Sequence, residues 1–456
     1  MIMKGYMMPH PPIIAKEIGK GEENKCQATL EGYYRAANEI RDLQPDTIII
    51  ISPHALLYKD WFNISAGTDA WGDFSSFHCP ELKIHVRYDE TFTTNLKNVI
   101  PGDFPVGTEY DREPMLDHGT MIPLYFLQDL LPKVKIVRVS LSGLSLMQHY
   151  RLGMYLTQTS QRLGRRTVVI ASGDLSHCQK QDGPYGFRQE GPEYDKKIMH
   201  TMSTASFEEL FSYPPSFLQA AMECGHRSFT IMAGMFDRTA VKSEVYSYEA
   251  PFGVGYGIAS FTPLGHDESR AFLDRYRKEQ ETAYKQRYEA ADVYARLAYD
   301  TINAYILHKP LPTVPLSLHE PAAVFVSIHK LGVLRGCIGT LSPCEACVGE
   351  EIIRNAISAC TKDPRFPSIN PVELPYLTIH VDVLSDPVQV FDITKLDHRK
   401  YGVICSTRDG RRGVLLPDIE GVESVQEQLD IACRKGGIDR ISEDVMIQRF
   451  EVVRHV

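Results

Sequence analysis

The stretch that decides the fold is residues 47–58, which read TIIIISPHALLY. Four consecutive isoleucines are typical of a strand that is buried on both faces of a parallel sheet. Pro53 cannot continue a central strand, because it lacks the backbone N–H that the ladder requires. The chain must therefore turn there, which leaves His54 just beyond the carboxyl end of a core strand. Open α/β sheets bind ligands at that edge, so we predict that His54 is a ligand residue.

Strands and helices alternate around this stretch. The spacing of apolar residues predicts a helix over residues 27–42, a strand over 135–141 and a helix over 145–162. A further apolar strand over residues 166–173 repeats the opening pattern. This alternation predicts an α/β fold in which helices flank a mainly parallel sheet.

Three more histidines occupy positions that resemble that of His54. His177 follows the last of these strands after a short polar turn, in which Gly173 permits a tight bend. His10 lies in a stiff loop between prolines, which would hold its side chain at low entropic cost. His118 lies at or before the start of a helix, where the helix dipole lowers the pKa of an imidazole. We therefore expect four imidazoles to meet at one edge of the sheet.

A further candidate ligand lies in residues 222–227, MECGHR, where Glu223 offers a carboxylate and Cys224 offers a thiol. Two imidazoles and one carboxylate with open positions form the ligand set of non-haem Fe(II) oxygenases. Together with His10 and His54, Glu223 would complete that set. Cys224 would instead make a softer site, which is better suited to copper or zinc.

The two remaining imidazoles, those of His118 and His177, could serve as general acid and base. One of them could remove a proton from a catechol hydroxyl and later return it to the leaving oxygen of an intermediate. We expect His177 to transfer this proton and His118 to orient the substrate.

The composition excludes several classes of function. The 456 residues are too many for one core and predict two or three domains. A net charge of −9, without a cluster of Lys and Arg, argues against a nucleic-acid partner. No signal peptide is recognised and no apolar run reaches the ~20 residues that cross a bilayer, so we expect no membrane contact. Ten scattered cysteines are expected to be reduced thiols, and the predicted location is cytoplasmic.

The chain is predicted to contain two domains. We place the first at residues 1–265, a charged helical linker at 266–286 and a smaller α+β domain at 287–456. In the second domain Asp409-Gly410, a dipeptide favoured in hairpins, predicts that residues 401–406 and 412–416 pair.

The cysteines of the second domain receive a structural interpretation. Residues 334–340, LRGCIGT, are its most distinctive stretch, and the glycines beside Cys337 would let another backbone or a ligand approach. Cys337 could be a nucleophile, but no base is evident, so packing is the preferred interpretation. The CxxC of Cys344 and Cys347 lacks the second pair that zinc sites usually show, and we interpret it as structural thiols.

Four short motifs of the first domain resemble the class III extradiol ring-cleavage dioxygenases. They are His10 between prolines, His54 after Ile-Ser-Pro, DHGT at 117–120 and GDLSH at 173–177. In that family the residues that match His10 and His54 bind iron together with a glutamate, for which Glu223 is the candidate here. The matches to His118 and His177 handle protons. The resemblance therefore implies an Fe2+ site and an oxygenase activity.

The same segment resembles the MEMO proteins, a branch of that superfamily. In MEMO a Cys-Gly-Arg-His run supplies a cysteine as the third ligand. The corresponding run here is Cys224-Gly225-His226-Arg227, and Glu223 precedes it. We prefer Glu223, because His118 and His177 are both present and suit the dioxygenase pattern.

The second domain resembles the AMMECR1 domain. The matching motifs are LRGCIG at 334–339, DPRF at 363–366 and RKGG at 434–437. The fusion of the two domains is similar to the AmmeMemoRadiSam proteins, and this resemblance implies a radical-SAM enzyme as a partner. It does not assign a biochemical role to the second domain.

These observations lead to three hypotheses about function. The first is an Fe(II)-dependent oxygenase that acts with O2 on a catechol-like or other chelating small molecule. The second is a non-catalytic metal-binding or scaffold protein of the MEMO type, in which Cys224 helps to bind copper or zinc. The third is a modification enzyme that works with the radical-SAM partner. The sequence leaves open the substrate, the metal and the oligomeric state, for which a homo-oligomer is one option.

Overall fold

The computed structural model describes residues 1–107, 115–419 and 421–456. The chain forms two compact units, Met1–Tyr276 and Arg277–Val456. Residues 266–286, predicted as a helical linker, contain the end of a strand and most of the helix Phe272–Ala290. The change from one unit to the other therefore falls within that helix.

A mixed sheet forms the centre of the first unit. The strands described in this unit are β1 (Ile2–Met8), β2 (Thr47–Ser52), β3 (Phe62–Asn63), β4 (Asp69–Phe74), β5 (Cys79–Arg87), β6 (Val106–Gly107), β7 (Lys135–Ser140), β8 (Thr167–Ser172), β9 (Thr239–Glu249) and β10 (Tyr256–His266). Six of them form one sheet in the order β7-β2-β8-β1-β10-β9. The first four run parallel, whereas β10 and β9 pair antiparallel at the other side. The predicted α/β architecture is confirmed.

Helices cover both faces of this sheet. They are α1 (Lys16–Gly19), α2 (Gln27–Leu43), α3 (Glu90–Lys97), α4 (His118–Tyr125), α5 (Leu146–Arg162), α6 (Glu190–Thr204), α7 (Pro215–Ala221), α8 (His226–Met235) and α9 (Phe272–Ala290). Ile49 and Ile51 of β2 pack in one hydrophobic core with α5 and α8, whereas Ile48 and Ile50 pack in a second core with α2. All four side chains are fully buried, which stabilises the fold by about 1.5–3 kcal/mol each.

The parallel strands end at the same edge of the sheet. Met8 of β1 pairs with Ser172 of β8, and Ile51 of β2 pairs with Ala171 of β8. Each of these three strands is followed within a few residues by one of the predicted histidines. The register of the sheet therefore brings the segments after β1, β2 and β8 together.

An antiparallel sheet forms the second unit. Its described strands are β11 (Ala323–Lys330), β12 (Val333–Gly339), β13 (Leu377–Leu384), β14 (Val388–Val390), β15 (Tyr401–Ser406), β16 (Arg412–Leu415) and β17 (Met446–His455). Their order is β12-β11-β13-β17-β15-β16, and β14 also pairs with β17. The predicted hairpin is present as β15 and β16. The smaller α+β architecture predicted for this half is confirmed.

Three helices accompany this second sheet. They are α10 (Val293–Ile306), α11 (Val348–Thr361) and α12 (Val425–Lys435). α10 and α11 pack on one face of β11 and β13, and α12 packs beside β15 and β16. In the part of the chain that the structure describes, no helix combines the length and apolar character needed to cross a bilayer.

Candidate metal centre

The loop that follows β1 holds His10. Its backbone N–H donates to Asp174 Oδ1 at 2.7 Å, and the Tyr33 hydroxyl donates to the carbonyl of Pro9. The side chain is buried, and this burial, together with the nearby imidazole of His54, lowers the pKa of His10 well below its usual value. The imidazole is therefore neutral, which is the form that binds metals.

Ser172, at the end of β8, fixes the tautomer of His10. The Ser172 hydroxyl donates to the carbonyl of Gly119 at 2.6 Å and lies 2.9 Å from His10 Nδ1. Because the hydroxyl has a single proton, Nδ1 of His10 must donate in the second hydrogen bond. The lone pair then lies on Nε2, which faces the other imidazoles. A backing hydrogen bond of this kind orients the ligand imidazole in metal sites.

Three donor atoms converge beside His10. Its Nε2 lies 3.0 Å from His54 Nε2 and 3.7 Å from Cys224 Sγ, and all three atoms lie within 4.8 Å of one another. Among the described residues, this is the one group of three or more His, Cys, Asp or Glu side chains with such spacing. Burial, and then the nearby acids Asp174 and Glu223, raise the pKa of the Cys224 thiol well above its usual value. A metal ion would displace the thiol proton on binding.

Two glycines allow Cys224 to reach the imidazoles. A Cβ on Gly173 would lie 2.2 Å from Cα of Gly225, so the loop after β8 meets the segment before α8 backbone to backbone. The Asp174 N–H donates to Cys224 Sγ at 3.3 Å, and the Gly225 N–H donates to the Asp174 carbonyl at 3.1 Å. Gly173 does not have a positive φ angle. Gly173 is thus required for this close approach, and not for a positive φ angle.

Glu223, the ligand preferred from the sequence, is not part of this group. Its carboxylate accepts a hydrogen bond at 2.6 Å from the backbone N–H of His226, the first residue of α8. The first N–H groups of a helix lack partners within the helix, so they attract an acidic side chain that lies just before it. Burial raises the pKa of the Glu223 carboxyl to about 7. The structure therefore brings Cys224, the alternative ligand, and not Glu223, to His10 and His54.

The two other histidines border the same group. The His118 ring stacks on His54 with centroids 4.2 Å apart and lies 5.4 Å from the His10 ring. Burial and these two imidazoles lower the pKa of His118 to about 3, so it is neutral. His177 is close enough to His10 to lower its pKa, and in the described structure the buried His177 Nδ1 has no hydrogen-bond partner. The imidazoles of His10, His54 and His118 thus contact one another, and His177 lies near them.

A buried ion pair holds the start of α4 and with it His118. Asp117 is the N-cap of α4, and its carboxylate accepts hydrogen bonds from the Thr120 N–H at 2.9 Å, from Ser52 Oγ at 2.5 Å and from Arg138 at 2.9 Å. Burial opposes ionisation, but Arg138 and these hydrogen bonds keep the pKa of Asp117 below its usual value. Because Ser52 ends β2 and Arg138 lies on β7, the carboxylate ties α4 to two strands.

Three polar residues of the site are not among those predicted from the sequence. They are Ser172, Asp117 and Asp174, the last of which has Oδ2 at 3.9 Å from His10 Nε2. Burial raises the pKa of Asp174. Ser172 and Asp174 belong to the same strand–turn motif as His177, and Asp117 directly precedes His118. The sequence signal that could have identified these three residues is their position beside the predicted histidines.

Comparison with known families agrees with this arrangement. Residues 4–259, which contain every residue of the centre, match the family model of the catalytic LigB subunit of aromatic ring-opening dioxygenase. The chain belongs to the LigB family. Residues 295–455, which make up most of the second unit, match the AMMECR1 family model. The two family resemblances seen in the sequence are thereby confirmed.

Relatives of this LigB-family chain include one that aligns over nearly the whole of both chains. Protein CA_C1420 of Clostridium acetobutylicum is 36% identical over 465 residues, which cover 99% of this chain and 98% of the relative. A protein of Thermotoga maritima is 48% identical over 168 residues, which cover 36% of this chain and 96% of its own. The crystal structure of protein PH0010 from Pyrococcus horikoshii matches at 28% identity with a TM-score of 0.34, covering 36% of this chain and 90% of that one.

Proposed function

We propose that the first unit is a metal-dependent oxygenase that uses Fe(II) and O2 to act on a small chelating molecule such as a catechol. Membership of the LigB family supports this at the level of the domain. One observation carries it at the level of the site. Donor atoms of His10, His54 and Cys224 lie within 4.8 Å of one another, at an edge where the imidazole of His118 contacts those of His10 and His54.

The donor set fits a redox-active transition metal. Imidazoles suit iron, copper and zinc, and a thiolate adds preference for soft ions. Three protein ligands leave coordination positions open, as catalytic sites require. When bound, the metal would hold a chelating substrate and O2 next to each other and exchange electrons with them. We prefer Fe(II) because of the LigB family, with copper and then zinc as the alternatives that Cys224 suggests.

Residues of the chain would orient the substrate and move its proton. His118 is neutral and can accept a hydrogen bond from a substrate hydroxyl, which would orient that group beside His54. His177, whose Nδ1 lacks a partner among the described residues, can take the hydroxyl proton and later return it. Asp117 and Ser172 keep the imidazoles of His118 and His10 in place.

Oxygen consumption tests this proposal. The full-length protein is purified without oxygen, loaded with Fe(II) and mixed with a series of catechols. We expect O2 uptake that falls to background in His54→Ala and in Cys224→Ser. Glu223→Gln is the matched control, since it changes the adjacent carboxyl that lies outside the group, and it should retain uptake. Uptake that persists in His54→Ala would remove this centre from the reaction.

A second candidate function is metal binding without turnover, as in a MEMO-type scaffold. Cys224 favours it, because a thiolate site suits copper or zinc. This function predicts one metal ion per chain and no O2 uptake with any metal, so loading with copper and zinc in the same experiment distinguishes the two. The radical-SAM partner, the cytoplasmic location and a homo-oligomer remain predictions from the sequence.

A further inference from the structure

The second unit carries reactive side chains that the metal centre does not use. They lie on the face of its sheet that turns away from α10 and α11. Along β11, Val324, Val326 and Ile328 pack with those helices, whereas the alternate residues Ser327 and His329 belong to the opposite face. The face of β11 that turns away from the helices therefore carries the polar side chains of Ser327 and His329.

Cross-strand pairing gathers the polar side chains of this face. Ser327 pairs with Cys337 of β12 on one side and with His380 of β13 on the other. The Ser327 hydroxyl lies 3.2 Å from Cys337 Sγ, and the rings of His329 and His380 have centroids 5.4 Å apart. In the described structure the buried Nδ1 of His329 has no hydrogen-bond partner. A hydroxyl, a thiol and two imidazoles thus lie side by side on this face, and one buried imidazole nitrogen lacks a partner among the described residues.

One ion pair beside the thiol has a buried acid and an exposed cation. Arg365 binds Asp363 through two hydrogen bonds of 2.9 and 2.7 Å, with the carboxylate only 2% exposed and the guanidinium 54% exposed. Asp363 also accepts the Cys337 N–H at 2.9 Å, and Arg365 Nη2 reaches the Cys337 carbonyl at 3.4 Å. The acid is therefore inside and the cation outside, directly beside Cys337.

A second ion pair repeats this arrangement across the sheet. Asp382 of β13 pairs with Arg454 of β17, which binds it through two hydrogen bonds of 2.8 and 2.9 Å. The Asp382 side chain is 1% exposed, whereas that of Arg454 is 58% exposed. Both carboxylate oxygens are occupied, but Nη1 of the guanidinium has no partner in the described residues. In both pairs the guanidinium is therefore the exposed partner and the carboxylate the buried one, and Asp418 is a further acid near enough to Arg454 to raise its pKa.

The groups beside these two ion pairs are uncharged at neutral pH. Burial raises the pKa of the Cys337 thiol, although Ser327 and Arg365 act in the opposite direction, so the sulfur carries its proton at neutral pH. Burial lowers the pKa values of His329 and His380, so both imidazoles are neutral. The exposed charges of the face are therefore the guanidinium groups of Arg365 and Arg454, each paired with a buried carboxylate.

We propose that this face of the second unit binds a small molecule through a carboxylate or phosphate group. The site, named here the Cys337 site, consists of Cys337, Ser327, His329, His380, Arg365 and Arg454. A carboxylate or phosphate group carries negative charge and accepts hydrogen bonds, so it matches the donors of the two exposed guanidinium groups. Arg365 and Arg454 both lie near enough to Cys337 to interact with it electrostatically, so we expect a ligand that they hold to shield the thiol.

Protection of the thiol from alkylation tests this site in the full-length protein. Iodoacetamide labels Cys337, and peptide mass spectrometry follows the rate at Cys337 and at Cys344, an exposed cysteine of the same unit. Inorganic phosphate and succinate are the probes, with chloride at equal ionic strength as the salt control. We expect either or both probes to slow labelling of Cys337 severalfold, and neither to change Cys344.

Variants of one ion pair identify the groups responsible. The neutral pair Asp382→Asn with Arg454→Gln removes the charge without leaving a buried acid alone, and should raise the protecting concentration by about tenfold or more. Asp430→Asn with Arg440→Gln, which neutralises another ion pair of this unit, should leave it unchanged. If circular dichroism shows that the first variant is unfolded, Arg454→Lys replaces it. This variant should also weaken protection, because lysine lacks the planar pair of donors with which a guanidinium group binds an anion.

Two outcomes would overturn the proposal. One is an unchanged labelling rate at Cys337 with both phosphate and succinate. The other is protection that affects Cys337 and Cys344 alike, or that the Arg454 variants do not weaken, since the effect would then not come from the Cys337 site.

Discussion

Two adjacent residues, Glu223 and Cys224, take different positions relative to the imidazoles. Cys224 Sγ lies 3.7 Å from His10 Nε2, whereas the carboxylate of Glu223 binds the N–H of His226. A sulfur ligand in the place of a carboxylate oxygen shifts the preference of the centre toward softer ions. The donor atoms that the structure groups together, those of His10, His54 and Cys224, therefore differ from the His, His and Glu set predicted from the sequence.

Ser172 gives a prediction that concerns a single hydrogen bond. Its hydroxyl binds His10 Nδ1 at 2.9 Å and leaves the lone pair on Nε2. Ser172→Ala removes this support and should weaken metal binding by about 10- to 100-fold, the usual cost of losing a partner of a ligand imidazole. Isothermal titration with Zn²⁺ measures the change in dissociation constant.

The control for this prediction is Ser140→Ala. Ser140 ends β7, which β2 separates from β8, is also buried, and binds the backbone of Asn63 and not a histidine. Its loss should affect stability without changing metal affinity. Equal weakening in both variants would show that the hydroxyl of Ser172 acts only through the packing of the sheet edge.

At the scale of elements, local patterns account for much of the fold. β2 lies at Thr47–Ser52, where the isoleucine run predicts it, and α2 covers Gln27–Leu43 against the predicted 27–42. Both depend on periodicity that is visible within a few residues. The pairing of β15 with β16 likewise follows from a turn dipeptide.

β1 illustrates an element that local patterns do not predict. Its residues include Lys4 and Gly5, which interrupt an apolar run. Lys4 is satisfied at 2.6 Å by Glu39 on α2 and at 3.3 Å by Tyr246 on β9. Partners so far along the chain are not visible in a window of sequence. β5 was not predicted either, although its residues 82–87 alternate between apolar and polar side chains.

The candidate site was predictable to the extent that it depends on strand ends. The positions of His10, His54 and His177 follow from the rule that parallel strands end at one edge. The choice between Glu223 and Cys224 depends on tertiary structure. It is set by the left-handed Met222, with φ of 54°, and by the contact of two glycines from different segments.

At the scale of the whole molecule, buried ionisable groups make stability depend on pH. Burial lowers the pKa of His149 to about 3. Its Nδ1 lies 2.9 Å from the Ser145 carbonyl, and its Nε2 accepts from the Ser142 N–H. In the unfolded chain the pKa is about 6.5, so below that pH the unfolded state binds a proton that the folded state does not. Stability contributed by neutral His149 is therefore present at neutral pH and is lost as pH falls toward 3.

Buried carboxyls act in the opposite direction. Burial raises the pKa of Asp195 to about 7, so the folded state holds a proton that the unfolded state releases above about pH 4. Stability from this group is lost as pH rises through 7. The measured pH profile is the sum of such opposing contributions, and a single group is isolated only by comparison with a variant.

His149→Gln provides that comparison. Between about pH 6 and pH 4, the unfolding free energy of the natural chain should fall more steeply than that of the variant, by about 1.4 kcal/mol per pH unit. Urea unfolding at a series of pH values measures both slopes. His85→Gln, at a histidine whose side chain is 62% exposed, is the control and should not change the slope. Parallel profiles for the natural chain and His149→Gln would contradict the assignment of a buried neutral imidazole.

X-ray absorption at the zinc edge, on the full-length protein loaded with one equivalent of Zn²⁺, measures the ligands of the centre directly. We expect a sulfur at about 2.3 Å together with imidazole nitrogens at about 2.0 Å. The sulfur signal should disappear in Cys224→Ser and remain in Glu223→Gln. A natural protein with only nitrogen and oxygen ligands, or a sulfur that survives in Cys224→Ser, would contradict a centre formed by His10, His54 and Cys224.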